Sequence, residues 1–198
     1  MAPRRRRTSS APHRTPRGLI PWALAVALVG CDSLSVPAAP DAFTTPYSGP
    51  IVNPFEWRAV PNGVAPFGPP GPEQTACGDL AIGPEDLSGT WVYSVDTGDC
   101  NWHTMVQPTA VPMTPGDRLE LRVWHSQLLA DGPATAHVAL AVEGEIWGMA
   151  EEPIPNIGRM VVVEMTVPSA TAVGAEVAFR LDNHGVNSWH LVDLTLNP

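Results

Sequence analysis

From Gly89 to Leu196 the chain is a succession of short β-favouring runs, each closed by glycine, proline or aspartate, with almost no helical periodicity. Apolar residues that return at every second position suit a strand with one buried face, and regularly spaced strands with such punctuation fold as an all-β sandwich. Strands are expected at 89–95 (GTWVYSV), 101–107 (NWHTMVQ), 118–125 (RLELRVWH) and 135–142 (TAHVALAV). A hairpin through Glu143-Gly144 leads into EIWGMA, and 160–167, 175–181 and 188–196 complete an antiparallel set of about eight. The segment 77–198, about 120 residues, is long enough for one domain with its own core.

The N-terminus has another character. Residues 1–30 carry six arginines and no acid, and the apolar run LIPWALAVALVG ends at Cys31. That run is shorter than the ~20 residues needed to span a bilayer, so it reads as a signal peptide of the general secretory route. Its end, LVGC, resembles the lipobox of bacterial lipoproteins. The resemblance implies cleavage before an acylated Cys31 and anchoring of the exported chain to a membrane of the cell envelope. Beyond residue 30 only Arg58, Arg118, Arg122, Arg159 and Arg180 stand against 20 acidic residues, a formal charge of −15. Such a surface repels nucleic acid and anionic lipid headgroups.

Between the cysteine and the domain, 31–76 is rich in proline and reads as an extended tether, with Ile51-Val52 and Phe55 to Trp57 as apolar interruptions able to pack as an added strand. With Cys31 lipidated, Cys77 and Cys100 remain as a pair in an exported domain, where a disulfide persists. The run CNWHTM also places Cys100, His103 and Met105 close together, but a blue-copper centre needs a distant second histidine, and none lies upstream within the domain.

Three Trp-His pairs recur, at Trp102-His103, Trp124-His125 and Trp189-His190. Successive side chains of a strand alternate between faces. In 118–125, His125 follows Leu119, Leu121 and Val123, which places it inward and Trp124 outward beside Arg122. In 188–196, uninterrupted alternation groups His190 with Val192, Leu194 and Leu196, again inward, and turns Trp189 outward. The inward histidines are read first as buried rings with hydrogen-bond partners; no histidine pair has the close spacing of a zinc site. The outward tryptophans, with Arg122 and Asn187, are the candidate ligand-binding residues, because an indole plate beside polar groups suits the apolar face of a sugar.

The frame PGDRLELRVWH, a later glycine turn and the closing WHLVDLTL resemble the galactose-binding-like jelly rolls, a group that includes many non-catalytic carbohydrate-binding modules. That resemblance implies a saccharide site on a concave face or at loop tips; many of these folds also hold a structural calcium, for which this sequence shows no calcium-loop signature. Catalytic signatures are missing: there is no G-x-S-x-G elbow, H-E-x-x-H or glycine-rich phosphate loop, and Glu151-Glu152 reads as a solvated turn. The expectation is a membrane-anchored, non-catalytic lipoprotein that binds polysaccharide. The alternative is a structural lipoprotein whose partner is another envelope protein.

Overall fold

The structure is a computed structural model that describes residues 47–197, so Cys31, the signal-like segment and the first part of the expected tether lie outside the described residues. Eleven strands follow one another: β1 (Gly49–Pro50), β2 (Arg58–Ala59), β3 (Ile82–Leu87), β4 (Thr90–Asp96), β5 (Trp102–Pro108), β6 (Arg118–His125), β7 (Ala134–Val142), β8 (Glu145–Ile154), β9 (Arg159–Thr166), β10 (Glu176–Asp182) and β11 (Ser188–Asn197). A front sheet is ordered β3-β4-β11-β6-β9, with β1 also on β11, and a back sheet is ordered β2-β5-β10-β7-β8. The pairings are antiparallel, and the two sheets form the expected sandwich. The strand β3 escapes the sequence pattern because it contains Gly83 and Pro84. It lies at the edge of its sheet, where a missing N–H is tolerated.

Alternation builds the core. Leu119, Leu121 and Val123 of β6 and Val161, Val163 and Met165 of β9 face Val138 and Leu140 of β7 and Val177, Phe179 and Leu181 of β10, all buried. The hairpin between β7 and β8 turns through Glu143 (φ 48°) and Gly144 (φ 81°), the two positive values a primed turn requires. Further along β8 the sheets approach closely. A Cβ on Gly148 would sit 2.5 Å from Met165 Sδ and 2.9 Å from Val163 Cγ1, so only glycine fits.

One strand departs from simple alternation. On β11, Leu191 pairs with Val123 and Asp193 with Arg122, so β11 advances two residues while β6 advances one. Val192 is the extra residue of a β-bulge, and it resets the faces. Before the bulge Trp189 and Leu191 point inward; after it Leu194 and Leu196 do.

The range 31–76 was expected as a tether, but its described part, from residue 47, packs on the sandwich. Proline forbids a helix there without forbidding extended docking. Ile51 is fully buried and Trp57 nearly so, both in the main core. Val60, Val64 and Phe67 cover Val106, Ala141 and Ala178 on the outer face of the back sheet. Arg180 fastens this strap: it donates to the carbonyl of Phe67 (2.8 Å) and lies over the rings of Phe67 and Trp102, while Gln74 donates to Asp182 at 2.6 Å. Where the strap ends, Cys77 is bonded to Cys100, a crosslink over 23 residues. Closing a loop of that length stabilises a fold by roughly 3 kcal/mol in the chain-entropy model.

Candidate functional site

The three Trp-His pairs do not behave alike. In the first, His103 points into the core and Trp102 points out, but the strap and Arg180 bury Trp102. In the second, His125 is fully buried and Trp124 is half-buried on the outer front face. In the third, the bulge reverses the expected order, which is a correction to both residues. Trp189 is a core residue, 1 % exposed, and His190 belongs to the outer surface of the front sheet although its neighbours cover it. Trp189 packs on His125 inside (ring centroids 4.8 Å apart), and Trp124 packs on His190 outside (4.9 Å).

The outer pair is the centre of a trough of about 390 Å³ that crosses four strands. Trp124 of β6 forms one wall and Glu85 and Leu87 of β3 the other; Ser94 and His190 lie between. Ser94 Oγ donates to Glu85 (2.5 Å) and lies 2.7 Å from His190 Nδ1. With the serine proton committed to Glu85, Nδ1 carries the hydrogen and donates to Ser94, which leaves Nε2 as an unprotonated acceptor. Burial lowers the His190 pKa and the Glu85 carboxylate raises it; burial prevails, so the ring is neutral near pH 7. Serine and carboxylate both meet the same ring nitrogen. In a nucleophile–base relay they occupy opposite nitrogens, so this chain orients the imidazole and does not activate the serine.

Arg122 also lies on this face, where it forms a bidentate pair with Asp193 (Nε to Oδ1 2.8 Å, with Nη2 on Oδ2). Asn187, proposed for ligand binding, is a structural clasp instead. It is buried; its amide donates to the carbonyls of Leu129 and His184 and to Asn183 Oδ1, and its own oxygen accepts from the Leu129 N–H. No polar atom of that side chain is left for a ligand. Glu151-Glu152 lies in β8, not in a turn, and Glu152 is buried. Its carboxylate is held by Arg159 (2.5 and 3.0 Å) and Asn156 (3.0 Å), and His125 Nε2 lies 3.8 Å away. Among the described residues, no group of three or more His, Cys, Asp or Glu side chains gathers to hold a metal ion.

Volume alone would select other depressions, of about 530 Å³ beside Arg118, Glu164 and Asn197 and about 540 Å³ beside Asp131, His184 and Val186. Neither is lined by a tryptophan, tyrosine or phenylalanine, so neither offers the flat apolar plate of Trp124. Sequence reasoning missed Glu85 because β3 was not recognised. Ser94 was legible: it alternates with the inward Tyr93 and Val95 and so belongs to the polar face of β4.

No protein-family model and no curated protein matches the chain. Solved structures are similar to it at low identity. A carbohydrate-binding module described for specific mannan recognition is 10% identical, with 76% of this chain and 95% of that one covered and a TM-score of 0.46. The N-terminal CBM22-1–GH10 modules of the Clostridium thermocellum endo-1,4-β-D-xylanase 10B, complexed with xylohexaose, are 12% identical with a TM-score of 0.43. That match covers 76% of this chain and spans only 28% of the xylanase chain. The enzymatically active domain of tailspike protein 4 from bacteriophage CBA120 is 15% identical, over 73% of this chain and 20% of that one, with a TM-score of 0.45.

Proposed function

We propose that this protein is a membrane-anchored lipoprotein whose sandwich binds carbohydrate without catalysis, and that the Trp124 trough is its binding site. The observation that carries this reading is an accessible indole held against a neutral histidine beside fixed hydrogen-bonding groups. An aromatic plate takes the C–H face of a sugar ring, while His190 Nε2 and the Glu85 carboxylate accept from hydroxyls. The strongly acidic surface disfavours an anionic ligand, and a neutral glycan is unaffected by it. A protein partner is the second reading. It is favoured by the exposed Met160 and Val162, which alternate with core residues on the outer face of β9.

Trp124→Ala tests the site. In electrophoresis through gels containing soluble xylan, mannan, galactan or β-glucan, at least one polymer should retard the wild type. Loss of a central aromatic contact costs on the order of 2 kcal/mol of binding, about thirtyfold, so the mutant should run unretarded. A folded mutant that is retarded as strongly as the wild type rejects the trough. Anchoring at Cys31 is a separate proposal, supported by the LVGC motif. The wild type should incorporate a palmitate probe and Cys31→Ala should not; labelling of the mutant sinks the lipobox reading.

A further inference from the structure

The two sheets end in four edge strands, β3 and β9 in front and β2 and β8 behind, and three of these are blunted. The strand β3 carries Gly83 and Pro84, and β2 is only two residues long. The strand β8 slips register opposite Leu140 and Ala141, and it contains Gly148, Pro153 and the exposed acids Glu145 and Glu151. Short length, proline, bulges and charge are the devices that keep an edge from pairing with another chain. The strand β9 is different. It has eight residues, no glycine or proline, and unbroken register with β6. Of its two charged side chains, Arg159 is committed to Glu152, which leaves Glu164. Among the described residues no strand lies on its far side, so its outward N–H and C=O groups form a template for a further strand.

A second copy of the same strand fits that template. Two copies pair antiparallel about a two-fold axis perpendicular to the sheet, which sets residues of equal parity opposite each other. On β9 Met160, Val162, Glu164 and Thr166 face outward, while Val161, Val163 and Met165 face the core. An axis through Val162 pairs residues 159–165 of each copy. Val162 then faces itself, Val161 faces Val163 of the other copy, and Glu164 faces Met160. An axis through Glu164 would oppose two carboxylates, which is unfavourable. One through Val163 would set Glu164 against Val162, and one through Val161 shortens the pairing to 159–163. The acid excess of the chain does not concentrate here either. On the joined outer faces of β6 and β9, Arg118 and Arg122 balance Glu120 and Glu164, and Trp124, Met160, Val162 and Thr166 are uncharged.

We infer that β9 is a dimerisation edge, through which two copies of the chain join their front sheets into one continuous sheet. This is independent of what the Trp124 trough binds. A single strand pair sits at the low end of interface sizes, below about 1,200 Å², so the dimer is weak and concentration-dependent. Native mass spectrometry of the full chain, kept in detergent and sampled from about 1 to 100 μM, should show a dimer whose share rises with concentration. Val162→Lys sets two like charges on the axis and should weaken association about tenfold or more, with a melting temperature near the wild type. Met160→Lys should act in the same direction and serves as the test if Val162→Lys folds poorly. Met149→Lys, on the blunted edge β8, should leave the dimer unchanged. A wild type that stays monomeric at about 100 μM overturns the inference. A dimer that survives both β9 variants overturns it as well, and its loss in Met149→Lys alone would place the contact on β8 instead.

Discussion

Trp189→Ala is expected to destabilise the sandwich by about 3–5 kcal/mol, the range for deleting a buried aromatic side chain. For a domain of this size that corresponds to a fall in Tm on the order of 10 °C. The indole is 1% exposed, packs on His125, and lies on β11 between β4 and β6, so its removal leaves a cavity that neither neighbour can fill. Its Nε1–H has no acceptor among the described residues. Trp189→Phe should therefore cost much less than alanine, since it preserves most of the ring volume and removes an unsatisfied donor. Trp124→Ala, on the outer face, should cost under about 1 kcal/mol, as surface substitutions do. Thermal melts of the three variants decide the matter. Equal melting temperatures for Trp189→Ala and Trp124→Ala would mean that Trp189 is not in the core and that the faces of β11 are wrongly assigned.

That reversal shows what the sequence could and could not disclose. Strict alternation carried β6, β9 and β10 through without interruption, so the fold class and most core positions were legible from period alone. The same rule applied to SWHLVDLTL put every residue before Val192 on the wrong face, because a bulge leaves no mark in composition. It shows only as a conflict, since Trp189 and Leu191 share one parity and Leu194 and Leu196 the other. Unbroken alternation resolves that conflict in favour of the longer run and so exposes the largest side chain of the strand. The N-terminal segment hid for a different reason. Its prolines correctly exclude a helix, but docking of Ile51, Trp57 and Phe67 depends on apolar surfaces supplied by β5, β10 and β11, which no local pattern in 47–76 records. Half of the candidate site was visible as well: Trp124 was legible on β6 and Ser94 on β4, whereas Glu85 needed the unrecognised edge strand β3 and His190 needed the bulge.

His103 is expected to make the protein acid-sensitive between about pH 6.5 and pH 4. The ring is buried on the inner face of β5, stacked nearly parallel to Tyr93 (centroids 5.9 Å apart, 10° between planes), and its Nε2 has no hydrogen-bond partner. Burial alone pulls its pKa from 6.5 down to about 4, because a charged imidazolium there would lose its hydration without gaining a counter-ion. In the unfolded chain the ring takes up a proton as pH falls through 6.5, while the folded ring resists until about 4. The contribution is fully present above 6.5, declines across that interval, and levels off below it. A depression of that size corresponds to about 3 kcal/mol at ~1.4 kcal/mol per pKa unit. His190 adds a loss of the same sign, opposed by Glu85. Urea unfolding at a series of pH values should show the decline in the wild type. In His103→Leu, which keeps similar volume and cannot titrate, the slope between pH 6.5 and 4 should be much shallower, even if its stability at pH 7.5 is lower. An unchanged slope in His103→Leu would mean that the buried imidazole is not the group taking up the proton on unfolding.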